Sequence, residues 1–557
     1  MKEREVQRRI QQAVRDSLTG LDALPSQEQE ILERVKKEAN PVITVYNGTG
    51  ETIVSPVFSP SGEEPRLRWL RPALALCLVL VLAAGLWVIV RNGNTDHQMT
   101  RPDVAMQPAE SGTNDLTPAS TGLPTPLPMA VSTQEKPKNQ TQPLDRVDLY
   151  VEPDLLWNEE TGILAEGTEI RKTKIPFENA VYRAMSGKAV EGKMTYSSGT
   201  TGEILAESPV TVQLDGQSYS MDMPQKSLLL RVKDGLIDTP LFEDRPYSVY
   251  LSVLLQNGGK DCLLTRVADG VQSRLIEKYT DLIILTLAWK PVVVYLNGEY
   301  WGQYNMRESM DADTIIQYEK PADASSISTI RGLSGMGNQE YLELINRLKK
   351  SDPANKAEDR EYLEENVDVD SYLNWLAAEM YFGNADAAST FFAYKIDGQK
   401  WKCALLDMDY GLFNASFNAL ESYLKPEGFG TTKQNNTIFL KILEIDEYRE
   451  LFLEKLGKLY QILTTEVMQA ELDQCAAMLE PEMMKHFERW APYNVPALNQ
   501  EAPTTGKEAY EYWKGRIDRM RNGTMVKRPW YVYLQTQEYF GLSNEEMMKY
   551  FGAGEGE

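Results

Sequence analysis

The chain has 557 residues, enough for two or three domains, and sets 58 Lys and Arg against 81 Asp and Glu for a net charge of −23. That balance argues against a nucleic-acid binder, which needs a basic stripe to meet phosphates, but not against nucleotide, whose charge a metal and one or two local cations can neutralise. There are only two histidines, His97 and His486, which argues against Ser-His-Asp, Cys-His and multi-histidine zinc chemistry and leaves carboxylates, lysine and arginine to carry any reaction.

Residues 1–65 open with "REVQRRIQQAVRDSL", where Val6, Ile10, Val14 and Leu18 recur every four residues as on an amphipathic helix. "PSQEQEILERVKKEAN" reads as a second helix, with Ser26 at its N-cap. Two short helices bury little, so this stretch is expected to be a tail or docking element. Pro72 to Val90 then runs without a charge. At about 1.5 Å per residue it spans roughly 28 Å, one hydrocarbon core, and is expected to be a single transmembrane helix. Arg66, Arg68 and Arg71 flank its start and Arg91 alone its end, with Trp69 and Trp87 near the two interfaces. The positive-inside rule therefore places 1–65 in the cytoplasm and everything after Arg91 outside it. Residues 91–145 are rich in Pro, Thr, Ser, Gln and Asn and read as a disordered, semi-extended linker.

From 146 to 557 the pattern is globular and α+β. Its first half is strand-like ("RVDLYVE", "PVTVQL", "SLLLRV", "YSVYLSVLL"), and "KPVVVYLNGEYWGQYNMRE" is a hairpin turning at Asn297-Gly298. Helical periodicity takes over around 339–383. A second hairpin, "FFAYKIDGQKWKCALLDMD", follows with its turn at Asp397-Gly398, and the remainder is helical. The second hairpin ends in "DMD". Continued as a strand, it would point Asp407 and Asp409 to one face, where two like charges repel unless a cation lies between them. A turn or a solvated strand end is the plainer reading of "ALLDMDYG" alone. Cys262, Cys403 and Cys475 form no CxxC pair and are expected to be buried small hydrophobes.

A strand-rich lobe followed by a helical lobe with an embedded hairpin is the layout of bilobal kinase-like folds. There, an early-strand lysine, a carboxylate before the hairpin and an aspartate after it act in turn on phosphate, acceptor and metal. Lys226, Asp386 and Asp407 occur in that order.

At these residues the chain resembles the CotH (spore coat protein H) kinase family of atypical, protein-kinase-like enzymes. The resemblance runs from about Val147 to Leu542. It rests on "LLWNEETGILAEG", "PQKSLLLRV", "LLQNGGKDCLLTRVADGVQSRL", "VVVYLNGEYWGQYNMRE", "GNADAASTFFAYKIDGQKWKCALLDMDYGLF" and "RPWYVYLQTQEYFGLS", in family order. It implies Asp386 as the catalytic-loop aspartate that acts on an acceptor hydroxyl. It implies Asp407 as the metal-binding aspartate with Asp409 beside it, and Mg²⁺ or Mn²⁺ with ATP. Lys226 stands where the family has its phosphate-facing lysine, although an exposed strand lysine is the plain reading. Arg307 and Glu308 are expected to pair near the cleft, at a nucleotide site or as a structural pin.

Departures from the family pattern bear on activity. Where the family often has a second metal-ligating Asn stand Ser389, Thr390 and Phe391, so Thr390 offers a weaker neutral ligand. The arginine before the lysine motif is Met221, that before Asn-Gly-Gly is Gln256, and the following Asn is Lys260, which returns one charge to the phosphate site. The expectation is a membrane-anchored kinase that phosphorylates Ser or Thr of a surface or coat protein. The rivals are an inactive scaffold of the same fold and an acidic cleft that serves another chemistry or binds calcium.

Overall fold

The computed structural model describes residues 143–165, 187–216, 223–233, 235–333, 335, 337–425, 435–491 and 503–552, together with two short strands near the N-terminus. The chain divides into two compact units, Met1–Lys136 and Pro137–Glu557. In the first, β1 (Thr44–Tyr46) pairs antiparallel with β2 (Thr52–Val54), a pairing the sequence reading did not anticipate. The expected tail helices, the apolar segment 72–90 and all but the last residues of the linker lie outside the described residues. Among the described residues, no helix is long and apolar enough to cross a membrane.

In the second unit the strand-rich part closes into a barrel. It contains β3 (Asp145–Val151), β4 (Ala189–Ser197), β5 (Ile204–Asp215) and β6 (Ser227–Val232). A two-stranded pair, β7 (Ile237–Asp238) and β8 (Val249–Tyr250), lies between β6 and β9 (Ser252–Gln256) in the chain. After the two-residue β10 (Leu285–Thr286), β11 (Trp289–Leu296) and β12 (Glu299–Arg307) complete the wall, in the order β11-β12-β9-β6-β5-β4-β3. Closure comes from β3 lying parallel to β11. Val147, Leu149 and Val151 on β3, and Val210, Val212 and Leu214 on β5, point inward at every second position and fill the interior. The β11–β12 turn is at Asn297-Gly298, where both residues adopt positive φ (51° and 85°), the backbone that a tight hairpin twisted like its strands requires.

The helical part holds more sheet than the expected lone hairpin. β13 (Ile327–Arg331), β14 (Phe392–Ile396) and β15 (Lys402–Leu405) join β10 in a four-stranded sheet ordered β10-β15-β14-β13. Neither β10 nor β13 has enough residues or alternation to stand out in sequence. β15 ends at Leu405, so Asp407 and Asp409 lie in the loop that follows rather than on one strand face. Behind the sheet, the helix Val369–Phe382 is buried along nearly its whole length, against the helices Asp446–Ile462 and Met525–Phe540. Cys262, Cys403 and Cys475 are free and buried, as small core residues.

Candidate functional site

A cavity of about 230 Å³ opens where the barrel meets the four-stranded sheet. Asp215, Gly216, Ser227, Gln256, Gly259 and Lys260 line it from one side, and Met310, Arg331, Asp386, Ser389, Thr390, Asp407 and Asp409 from the other. The predicted residues Lys260, Asp386, Thr390, Asp407 and Asp409 thus converge, from segments up to 149 residues apart.

The Asn-Gly-Gly turn builds one wall. Asn257 is fully buried; its Oδ1 accepts from the Gly259 amide at 2.9 Å, and Gly258 (φ 103°) and Gly259 (φ 57°) turn the chain into the short helical segment Gly259–Asp261. This presents the Lys260 amide to Asp409 Oδ2 at 2.6 Å. A Cβ on Gly259 would lie 2.2 Å from that same oxygen, so only glycine lets the carboxylate seat here. Asp409 is 8% exposed, and burial first, then the charge of Asp407, hold its carboxyl well above the usual carboxylate range, opposed by Lys260.

The Asp386 loop is held from behind. Gly383 ends the helix Val369–Phe382 in the left-handed region. Asn384, fully buried, accepts the Asp386 amide at 3.1 Å on its side-chain oxygen and donates to the Asp407 carbonyl at 3.3 Å, tying the two acidic segments together. Arg528, from the helix Met525–Phe540 and 1% exposed, donates to the carbonyls of Tyr381, Ala415 and Phe417 at 2.7–2.8 Å and to that of Met380. One guanidinium thereby satisfies otherwise orphaned carbonyls at a helix end. Asp386 itself pairs with the Lys260 ammonium and accepts from the Ser389 hydroxyl. The same ammonium lies 5.1 Å from the Tyr410 ring centroid.

The helix Ala268–Tyr279 grips the Asp407–Asp409 loop. Asp269 Oδ1 accepts from the Met408 amide at 3.3 Å, and Gln272 Nε2 donates to the Met408 carbonyl at 2.8 Å. These bonds replace a strand ladder, which is why the period-2 expectation for the two acids fails.

Three predicted residues do not reach the cavity. Lys226 is 4% exposed and donates to the Met223 carbonyl; its neighbour Ser227 lines the cavity, and consecutive extended residues face opposite ways. Arg307 and Glu308 are buried but are not partners of each other. Arg307 pairs with Asp269 and donates to Ser273 and the Leu287 carbonyl, whereas Glu308 takes Arg245, Tyr247 and the Ala288 amide. As the last residue of β12 and the one that follows it, they too point opposite ways. Burial lowers the Arg307 pKa to about 10 despite the surrounding carboxylates.

The residues that sequence reasoning missed are Asp269, Gln272, Asn384, Arg331 and Arg528. "LLQNGGKDCLLTRVADGVQSRL", "GNADAAS" and "RPWYVY" contain four of them, but nothing in their spacing shows that one side chain bridges segments this distant.

The acid pair fits a divalent cation. Asp407 Oδ1 is buried with no hydrogen-bond partner among the described residues, and Asp407 faces Asp409 as a like charge. Among the described residues no three His, Cys, Asp or Glu side chains group to hold a metal by themselves. Two carboxylates completed by phosphate and water are the usual protein share of a Mg²⁺ site.

Two comparisons with known proteins agree. The family profile described as CotH kinase protein matches residues 212–531. The inner spore coat protein H of Bacillus subtilis (strain 168) is 26% identical over 220 residues, 36% of this chain and 56% of that protein. The match thus spans little more than half of the curated relative's length.

Proposed function

This chain belongs to the CotH kinase family, and from that premise we propose that it transfers the γ-phosphoryl of ATP to Ser or Thr hydroxyls of a surface or spore-coat protein. The observation that carries the reading is the convergence of Asp386, Asp407, Asp409 and Lys260 on one cavity. Phosphoryl transfer needs positioning and charge neutralisation more than covalent chemistry, so this set is sufficient in kind. Asp407 and Asp409 would hold Mg²⁺ or Mn²⁺, with the Thr390 hydroxyl as a weaker neutral ligand. The metal, when bound, screens the charge of the phosphates. Asp386 orients the acceptor hydroxyl and takes its proton. Lys260 supplies a cation within reach of both the acceptor aspartate and the nucleotide. Residues 72–90 anchor the chain, with 1–65 cytoplasmic and the kinase domain outside; no nucleic acid is involved.

One observation favours a second reading, an inactive scaffold for coat or surface assembly. The Lys226 ammonium donates to the Met223 carbonyl and Lys226 is not among the described residues that line the cavity, and Lys260 occupies the Asp386 carboxylate. Incubating the full chain with ATP labelled at the γ-phosphate, Mg²⁺ or Mn²⁺ and a coat-protein extract decides between them. Label transfer abolished by Asp386→Asn supports the kinase. ATP binding with no transfer under any metal supports the scaffold.

A further inference from the structure

The cavity holds one cation that the reading above leaves without a task. Arg331 is the last residue of β13, and its guanidinium lines the cavity together with Asp215, Met310 and Asp407. Its contacts among the described residues are weak. Nη2 lies 3.7 Å from Asp407 Oδ2, too long for a hydrogen bond, and 3.2 Å from the Met310 sulfur, a poor acceptor. Arg231 and Arg245 are more fully occupied by comparison. Both arms of Arg231 are taken by Asp311 and Asp313, and Arg245 binds Glu277, Glu308 and the Thr286 carbonyl.

The backbone that carries Arg331 is fixed. Arg331 is in register with Phe392 on β14, and the amide of Gly332 bonds the Phe391 carbonyl at 2.7 Å. The guanidinium therefore extends from a rigid strand end, with donors to spare, beside the carboxylate assigned to the metal. Charge balance points the same way. Four carboxylates line the cavity against two cations, and one of those, Lys260, is paired with Asp386. A polyphosphate bound there needs a second cation besides the metal, and a planar fork is the side chain best matched to phosphate oxygens.

Resting on the nucleotide reading above, we propose that Arg331 is a phosphate-binding residue of this cavity, which leaves the Asp407 carboxylate to the metal and takes the non-bridging oxygens of the nucleotide's polyphosphate. The alternative role is a fixed counter-charge for the acidic wall, with no contact to ligand.

Equilibrium binding of ATP and of adenosine, each with Mg²⁺, to the full chain in mild detergent separates the two roles. Arg331→Met should weaken ATP about tenfold or more, the loss of a charge-assisted hydrogen bond, and leave adenosine unchanged. Arg331→Lys, which keeps the charge but not the fork, should fall between, and it decides the matter if the methionine variant does not fold. ATP affinity within twofold of wild type in a folded Arg331→Met protein overturns the proposal, as do equal losses for ATP and adenosine. A wild-type chain that binds no ATP overturns the nucleotide reading itself, and this proposal with it.

Discussion

Lys260 and Asp386, 126 residues apart in sequence, form an ion pair across the cavity, and the backbone amide of the same lysine holds Asp409. One residue thus connects the turn from the barrel to both acidic segments of the helical part. The side-chain pair is about one-third exposed, so its own contribution to stability is small, about 0–1 kcal/mol. Its consequence is for the proposed site: the ammonium that pairs with Asp386 lines the same cavity as Asp407 and Asp409. Lys260→Met should leave the melting temperature nearly unchanged and weaken ATP about tenfold. Unchanged ATP affinity, measured by titration calorimetry, would remove Lys260 from the site.

Asp407→Asn keeps the shape of the side chain and removes one of two facing charges. The metal-free protein should be as stable as wild type or slightly more so, and the thermal stabilisation by Mg²⁺ or Mn²⁺ with ATP should disappear. Asp386→Asn should keep that stabilisation and lose transfer. Melting curves of both variants, with and without metal and ATP, check the pair. A metal-ATP shift that survives Asp407→Asn refutes the metal assignment.

Gly259→Ala tests the seat of Asp409. The added methyl would press on the carboxylate, and φ of 57° is strained for any other residue. The expected result is a loss of roughly 1–3 kcal/mol, as for a residue forced into a sparsely populated backbone region, together with loss of the metal-ATP shift. Chemical denaturation of the variant against wild type reads the first and melting curves the second.

Asp269→Ala leaves the fully buried Arg307 without its carboxylate. Removing one partner of a buried pair costs about 3–5 kcal/mol, and replacing both sides by neutral groups costs less. Arg307→Met combined with Asp269→Asn should therefore be more stable than Asp269→Ala alone, as judged from urea midpoints. If Asp269→Ala is neutral, the pair does not clamp the barrel to the Asp407–Asp409 loop.

His486 is fully buried, and its Nδ1 accepts the Gln303 amide at 3.1 Å. Burial, assisted by Arg266, holds its pKa well below the ordinary histidine value of 6.5. The unfolded chain binds a proton below that pH and the folded one does not, so this group's contribution is present above 6.5 and lost as pH falls toward the folded pKa. Wild type should lose up to about 1.4 kcal/mol per pH unit relative to His486→Gln over that window. Urea unfolding at pH 7.5 and 5.5 measures the difference, and parallel pH dependences of the two proteins would refute it.

Much of this protein is legible in its sequence because the signals are local. Alternation of Val and Leu marks β3 and β5, Asn297-Gly298 marks the β11–β12 turn, and the run of helical periods marks the second half; each follows from one strand or helix meeting one core. Scarce histidine left carboxylates, lysine and arginine as candidates, and it was the resemblance to the CotH family that pointed to Asp386, Asp407 and Asp409 among them. What only the tertiary structure decided is which of them meet. Ser227 faces the cavity and Lys226 does not, because neighbours on an extended chain diverge. Arg307 and Glu308 bind Asp269 and Arg245 instead of each other for the same reason. Asp407 and Asp409 share a loop held by Asp269, Gln272, Lys260 and Asn384, from three other segments of the chain. Closure of the barrel and docking of the helix Met525–Phe540 through Arg528 set those meetings. Both depend on packing between segments more than a hundred residues apart, for which a local pattern has no term.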